Sequence, residues 1–264
     1  MLRTVFTKCL RDQRRGLIGW SIGIVTLVML ESAVWPSFSN MSGVRGFLTN
    51  YPEPIRKLFN LDQFFTGTGF LNGELFSILL PILFLVFAIG RGARGIAGEE
   101  ERGTLEVLLV NGVSPIRLTL EQAAVVIASV GALGIVLFGS TVVASAIFGL
   151  GVSIGAAATG AVSMALLGIE FGLLAAAVGA ATGRRSMASV AAAVLAVAAY
   201  VLYMTSKLVA AVRPYGPWSP FHQAIDGGPL GAGLPLAYLW LALVGIGCLL
   251  VALPIFDRRD ISGV

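Results

Sequence analysis

Few residues in the chain could carry out covalent chemistry. The stretch Gly151-Val152-Ser153-Ile154-Gly155 matches Gly-x-Ser-x-Gly, a pattern that holds a serine nucleophile at a tight turn. Its base would have to be His222, because the chain has a single histidine. The two cysteines, Cys9 and Cys248, are far apart and form no Cys-x-x-Cys pair. These residues predict no metal site and leave one candidate for a catalytic serine.

The positions of Ser153 and His222 argue against catalysis. A serine combined with a membrane histidine resembles the intramembrane serine proteases of the rhomboid type, which are the remote enzyme alternative. Ser153, however, falls in a short connection between two apolar segments, where glycine and serine readily form turns. His222 lies in a proline-rich loop that would not fix the orientation of a base. We therefore expect no catalytic residue and no enzyme activity in this chain.

The composition is that of an integral membrane protein. Hydrophobic residues make up 56% of the 264 residues and charged residues 12%, whereas soluble domains have about 25% charged residues. A transmembrane helix needs about 20 apolar residues. Six apolar segments of this kind occur, at approximately 17–34, 71–89, 123–148, 156–181, 187–212 and 236–256. We expect an all-α polytopic membrane protein with one transmembrane domain over residues 1–264.

The basic residues predict the orientation of these segments. Counted on alternating sides, 13 lysines and arginines fall on the side of the N-terminus and 5 on the other. By the positive-inside rule both termini are cytoplasmic, and the net charge of +4 does not indicate nucleic acid. Residues 1–15 have apolar and basic faces, which predicts an amphipathic elbow helix at the membrane surface. The external loops are 35–70 and 213–235. The many arginines and alanines indicate a prokaryotic inner membrane.

One carboxylate lies near the middle of an apolar segment. Glu170 occurs within Gly168-Ile169-Glu170-Phe171-Gly172, and glycines permit close approach of helices in a membrane. A charge at this depth costs about 2.5–3.5 kcal/mol on insertion scales, so we expect Glu170 to have a functional or a structural role. We interpret Glu170, Gly168 and Gly172 as part of a translocation path or a subunit interface. A structural hydrogen bond to a neighbouring helix is the equally balanced alternative.

Three further ionisable residues lie towards the outer ends of the segments. Lys207 is about 30 Å from the predicted inner face, and Glu31 and Glu74 fall in the outer parts of their own segments. We hypothesise that Lys207 pairs with one of these glutamates and helps to close an external gate. The alternative is that each side chain reaches water independently.

The cytoplasmic loop 90–122 between the second and third segments is the most informative part of the sequence. Its glutamates surround a stripe formed by Leu105, Leu108 and Leu109, which predicts a short amphipathic helix over residues 99–109. Ser114 and Pro115 should begin the next helix, with serine as the N-cap and proline in the first turn.

This loop carries a resemblance to a known family. Its sequence Glu99-Glu100-Glu101-Arg102-Gly103-Thr104-Leu105-Glu106-Val107-Leu108-Leu109 resembles the signature E-x-E-x-G-T-L-E-x-L-L of ABC-2 type transporter permeases, the membrane subunits of ATP-binding-cassette exporters. The resemblance extends to the basic N-terminus, the large first external loop and Ser219-Pro220-Phe221. The family often has Pro-Val-Ser-Arg after the signature, where this chain has Gly112-Val113-Ser114-Pro115.

The resemblance implies a coupling helix that docks on a separate ATPase subunit. The coupling residues would be Glu99, Glu101, Gly103, Thr104, Leu105 and Glu106. ATP and Mg²⁺ would bind to that partner, because this chain has no Gly-x-x-x-x-Gly-Lys-Ser/Thr loop. A second permease subunit, identical or different, would complete the path through the membrane lipid.

An ATP-independent channel or secondary transporter is the main alternative. Its ion-coupling groups would be Glu170 and Lys207, and inverted repeats would be its expected sign. No clear repeat occurs in the sequence, and this alternative leaves the signature loop unexplained. The apolar segments favour an amphiphilic substrate such as a lipid or a hydrophobic drug, without identifying it.

Overall fold

The computed structural model describes residues 5–39, 65–105, 110, 114–231 and 236–258. In these ranges all regular structure is helical. Six stretches are long and apolar enough to cross a membrane, namely Cys9–Ser39, Gly67–Arg94, Pro115–Phe148, Ile154–Thr182, Arg185–Leu208 and Ala237–Phe256. This confirms the prediction of an all-α protein with six helices of membrane-spanning length.

The helices are numbered in chain order. They are α1 Val5–Ser39, α2 Gly67–Leu71, α3 Leu80–Arg94, α4 Ile96–Glu101, α5 Pro115–Phe148, α6 Ile154–Thr182, α7 Arg185–Leu208, α8 Pro220–Ile225 and α9 Ala237–Asp257. A π-helical segment, Asn72–Leu79, joins α2 to α3, and a 3-10 helix, Arg213–Trp218, precedes α8. The third apolar stretch is bounded by local chemistry, since the Ser114 hydroxyl accepts from the N–H of Arg117 and Gly149 ends the helix at φ 66°. The predicted start at Ser114 and Pro115 is confirmed.

Helix α6 lies at the centre of the bundle. It packs against α3, α5, α7 and α9, and 72% of its most apolar stretch is buried. Helix α1 packs mainly on α5, and 17% of its corresponding stretch is buried. Because α6 is rich in alanine and glycine, its neighbours can approach closely on several sides.

Helix α1 is longer than a bilayer requires. Its 35 residues correspond to about 52 Å, whereas the hydrocarbon core is about 30 Å thick. The described helix is continuous across residue 15, so a separate elbow helix over residues 1–15 is not confirmed. It also continues to Ser39, so the external loop predicted to begin at residue 35 begins later. Residues 40–64 of that loop lie outside the described ranges.

The two ends of the bundle differ in charge. Helix α3 ends at Arg94, α7 begins at Arg185 and Arg258 follows α9, all at the end from which α1 enters the bundle. We call this the basic end and the other the opposite end. The connection between α3 and α5 lies at the basic end and is shorter than the predicted 90–122, because α3 continues to Arg94 and α5 begins at Pro115.

Candidate functional site at the basic end

The polypeptide makes a left-handed turn immediately after α4. Gly103 has φ 67°, a conformation that side chains disfavour and that commonly ends helices. Its N–H donates to the carbonyl oxygen of Glu100 at 2.9 Å, and the N–H of Thr104 donates to the carbonyl oxygen of Glu99 at 3.0 Å. These two bonds form the Schellman pattern of a helix C-terminus. The left-handed conformation of this turn therefore explains why residue 103 is a glycine.

Side chains hold this turn closed. The Thr104 hydroxyl donates to Oε2 of Glu99 at 2.5 Å, and Nη2 of Arg102 lies 2.5 Å from the other carboxylate oxygen. The carboxylate of Glu99 thus accepts from two residues on the far side of the turn. We call residues 99–105 the acidic turn. Its polar side chains stand at the surface, with Glu101, Arg102 and Thr104 exposed.

The acidic turn is attached to four of the membrane-spanning helices. Leu105 is 1% exposed and belongs to a buried apolar cluster at the basic end. The other members come from α4, α5, α6 and α9 and are Ile96, Leu118, Ala180 and Phe256. On the other side, Oε1 of Glu101 accepts from the N–H of Arg185 at 2.8 Å, at the start of α7. A displacement of the turn would therefore reach all of these helices.

The predicted single helix over residues 99–109 is interrupted at residues 102–104, although residues 99–101 are helical as predicted. Helix α4 ends at Glu101, because Gly103 adopts the left-handed conformation described above. Glu106, predicted as a coupling residue, lies outside the described residues, as do 107–109 and 111–113. Val110 is described and is 87% exposed.

The start of α1 lies against the start of α5 at the same end. Oε2 of Glu121 accepts from the N–H of Phe6 at 3.0 Å, and Oε1 accepts from Nε of Arg117 at 2.9 Å. The amide of Gln122 lies 3.6 Å from the Cys9 sulfur. The first turns of α1 are therefore held to the helix that follows the acidic turn.

Glu170 is buried in the centre of the bundle. Its side chain belongs to α6 and is 4% exposed, and its Oε2 has no hydrogen-bond partner among the described residues. Helix α9 covers it closely, since a methyl group on Gly245 would lie 3.0 Å from the Glu170 Cα. In the single chain Glu170 thus lies between helices, away from any surface that a second subunit could contact directly.

The glycines on either side of Glu170 serve the packing of α6. A methyl group on Gly168 would lie 3.1 Å from Cγ1 of Val130, and one on Gly172 would lie 2.7 Å from Cγ1 of Val126. Both valines belong to α5. The predicted role of these glycines in close helix packing has this physical basis within the chain.

The predicted pairing of Lys207 with Glu31 or Glu74 is wrong. The Lys207 ammonium forms an ion pair with Asp226, and it also lies 5.5 Å from the centre of the Tyr203 ring. Sequence spacing could not reveal the true partner, because Asp226 follows α8, which folds back against the bundle.

The segment from Arg213 to Gly231 re-enters the bundle from the opposite end. The Ser219 hydroxyl donates to the carbonyl oxygen of Ala199 at 2.8 Å, and the Ser163 hydroxyl donates to that of Ala224 at 2.5 Å. Ala199 lies nine residues before the end of α7, and Ser163 lies nine residues after the start of α6. Both contacts are therefore about 13 Å inside the bundle, measured from its opposite end. This segment, predicted as an external loop, therefore contains a short buried helix, α8.

Polar residues of the apolar segments hold the re-entrant segment, residues 213–231. The sequence pattern predicted no role for these residues. The amide of Asn72 accepts from the N–H of Leu230 at 3.1 Å and donates to its carbonyl oxygen at 3.4 Å. The Thr159 hydroxyl donates to the carbonyl oxygen of Pro229 at 2.9 Å. Polar side chains in apolar segments were the signal that could have indicated these contacts.

Ser153 and His222 do not form a nucleophile–base pair. The Ser153 hydroxyl caps α6 by accepting from the N–H of Ala156 at 3.1 Å. The His222 ring packs against Tyr203, and its Nδ1 lies 3.6 Å from Asp226. Within the part of the chain that is described, no three His, Cys, Asp or Glu side chains come together in a way that could hold a metal ion.

Comparison with known proteins gives no match, either to a protein family or to a curated protein.

Proposed function

We propose that the chain is the membrane permease subunit of an ABC-2 type exporter, and that the acidic turn docks on a separate ATPase subunit. The observation that carries the proposal is the attachment of this exposed, charged turn to the helices around it. Leu105 inserts into the apolar cluster at the basic end, and Glu101 accepts from the backbone at the start of α7. A partner that bound the turn would act on several helices at once.

The turn suits the transmission of force. Its backbone bonds and the two contacts of Glu99 make it a compact unit, so a push on its surface moves Leu105 and Glu101 together. ATP-driven closure of the ATPase subunits would supply differential binding energy for two arrangements of the helices. No residue of this chain performs the hydrolysis in this proposal, since ATP and Mg²⁺ bind to the partner.

The orientation and the assembly follow from the same proposal. The basic end faces the cytoplasm of a prokaryotic cell by the positive-inside rule. Two permease subunits, identical or different, enclose the translocation path, and the exposed apolar faces of α1 and α7 are available for contact with a second subunit and with lipid.

Purification from the native membrane tests the proposal. The tagged protein is extracted in mild detergent, and co-purifying proteins are identified by mass spectrometry. We expect a stoichiometric partner with a nucleotide-binding loop, and ATPase activity that responds to transport substrate. Glu101→Arg should weaken partner binding about tenfold, which corresponds to about 1.4 kcal/mol.

Arg258→Glu is the matched control for that variant. It also reverses a charge at the basic end, but Arg258 lies outside the acidic turn. The control should retain the partner and its activity. A homo-oligomer without any nucleotide-binding partner would overturn the proposal.

That outcome would favour an ATP-independent channel or secondary transporter. The buried Glu170, whose Oε2 has no hydrogen bond among the described residues, is the observation that favours this second candidate. Transport that persists without ATP and is lost in Glu170→Gln would support it.

A further inference from the structure

A cleft opens at the basic end between α1, α3 and α5. Its volume is about 320 Å³. The polar side chains that line it are Asp12, Gln13, Arg91, Arg94 and Ser129, and the aromatic ones are Trp20 and Phe87. The acidic turn does not line this cleft, so the proposed coupling role does not account for it.

The cleft contains buried polar groups that have no hydrogen-bond partner among the described residues. Arg91 is 9% exposed and Ser129 is 1% exposed. Nε of Arg91, Oγ of Ser129 and Oε1 of Gln13 form no hydrogen bond within the described residues. Buried charges are normally paired, so a buried guanidinium whose Nε has no partner among the described residues is suited to binding an anion. Asp12 also lines the cleft, but it is not among the ion pairs of the described residues.

An apolar groove continues from the cleft along α1. Gly16 and Trp20 line both the cleft and the groove, which continues past Gly19, Gly23 and Leu27. A side chain on any of the three glycines would meet nothing within 4 Å, so the groove is open along this face. From Gly16 to Leu27 it extends about 16 Å, about half of a hydrocarbon core that is about 30 Å thick. That is the depth of one leaflet.

Along α1 a cationic cleft is followed by an apolar groove, which is the same order as the phosphate headgroup and the acyl chain of a phospholipid. Because the cleft lies near the basic end of the apolar stretches, we place it at the level of the membrane surface, with the apolar groove leading from it towards the hydrocarbon. Arg94 and the exposed Arg11, Arg14 and Arg15 add positive charge at the same level. A guanidinium binds phosphate oxygens through parallel, charge-assisted hydrogen bonds, and the Ser129 hydroxyl adds a further donor.

We propose that the cleft and groove bind one phospholipid of the leaflet at the basic end. The phosphodiester contacts Arg91 and Ser129, and one acyl chain lies along Gly16, Gly19 and Gly23. Asp12, at the exposed rim, accepts a hydrogen bond from the ammonium or hydroxyl group of the headgroup. The inference requires only that the bundle spans a membrane, and it does not depend on an ATPase partner.

Native mass spectrometry of the delipidated full-length protein tests the site. The probes are phosphatidylglycerol, phosphatidylethanolamine, diacylglycerol and inorganic phosphate. We expect one tightly held molecule of either phospholipid and much weaker retention of diacylglycerol, which has no phosphate. Arg91→Gln should weaken phospholipid binding about tenfold, the effect of losing one charge-assisted hydrogen bond. Arg184→Gln, at the same end but outside the cleft, should leave it unchanged.

A second variant probes the groove independently of the arginine. A Cβ at position 19 meets nothing within 4 Å, so Gly19→Phe can place its ring in the groove, and it should reduce retention of the lipid. Gly139→Phe is its control, since a Cβ at this position of α5 also meets nothing within 4 Å and Gly139 lines neither the cleft nor the groove. The two variants remain informative if Arg91→Gln does not fold.

Four results would overturn the proposal. Equal retention of phospholipid by Arg91→Gln would exclude the contact with phosphate, and equal retention of diacylglycerol would leave only an apolar surface. Binding of inorganic phosphate as tight as that of phospholipid would indicate an anion site. A disulfide cross-link between two chains carrying Gly19→Cys, formed in place of lipid binding, would show that a second copy occupies the groove.

Discussion

A methyl group on Gly92 would lie 2.0 Å from the carbonyl oxygen of Gly172, so the backbones of α3 and α6 are in direct contact at this crossing. It would also lie 2.9 Å from the backbone nitrogen of Ala176. Neither neighbour is a flexible side chain that could turn away. The central helix of the bundle is therefore held to α3 at a place where only glycine fits.

Gly92→Ala should destabilise the protein strongly, because α3 and α6 would have to separate. We expect a loss of about 3 kcal/mol, at the upper end of the usual cost of overpacking. Thermal unfolding in detergent, followed by the loss of the monodisperse peak in size-exclusion chromatography, measures it. Gly90→Ala is the matched control, since a methyl group there meets nothing within 4 Å. Equal melting temperatures for the two variants would contradict the close contact.

Gly103→Ala should loosen the acidic turn and leave the bundle intact. The strain of a left-handed alanine is about 1 kcal/mol, and no neighbouring atom would add to it. Hydrogen exchange of the Thr104 N–H, which is bonded to Glu99, should become about fivefold faster. Gly131→Ala, in the interior of α5, should leave this exchange unchanged. Unchanged exchange in Gly103→Ala as well would show that the turn tolerates a side chain.

The re-entrant segment should open when its contact with Asn72 is removed. Asn72→Ala loses two hydrogen bonds to Leu230, each worth about 1 kcal/mol. The reporter is Ala224→Cys, a buried position, in a background without Cys9 and Cys248. The loss of about 2 kcal/mol in total should let a membrane-impermeant maleimide label it about thirtyfold faster in the Asn72→Ala variant.

Gln223→Ala is the control for that experiment. Gln223 donates to the carbonyl oxygen of Pro217, and both residues belong to the re-entrant segment itself. Its loss should leave labelling of residue 224 unchanged. If residue 224 is labelled at the parent's rate in both variants, Asn72 does not hold the re-entrant segment in place.

Lys207 and Asp226 should show energetic coupling in a double-mutant cycle. Both side chains are 31% exposed, so the coupling should be modest, about 1 kcal/mol. Melting temperatures of Lys207→Ala, Asp226→Ala and the double variant measure it. The exchanged pair Lys207→Asp with Asp226→Lys should recover part of the stability. Lys207→Glu with Glu31→Lys should recover none, and recovery there would revive the pairing that the structure contradicts.

Local chemistry made part of this architecture predictable. The six long apolar segments could be located because each reaches the length of about 20 residues that a bilayer demands. The start of α5 could also be predicted, since Ser114 and Pro115 act within one helical turn of the residues they affect. Such features depend on neighbours in sequence and need no knowledge of the bundle.

The relationships between helices could not be predicted in the same way. The contact of Gly92 with Gly172 depends on which faces of α3 and α6 meet, and apolar segments without a polar face carry little information about this. Asp226 became the partner of Lys207 because α8 folds back into the bundle. The acidic turn was misread as one helix, since its leucine spacing fits a helix while the stop at Gly103 depends on backbone conformation.

The cover that α9 places over Glu170 has a consequence for biosynthesis. Ribosomes make α6 before α9, so the carboxyl group enters the membrane while its eventual shield has not yet been synthesised. Until α9 arrives, a polar group of the central helix faces lipid or whatever chaperone occupies the insertion site. A nascent chain halted between α7 and α9 should therefore remain bound to the insertion machinery, and completion of α9 should release it.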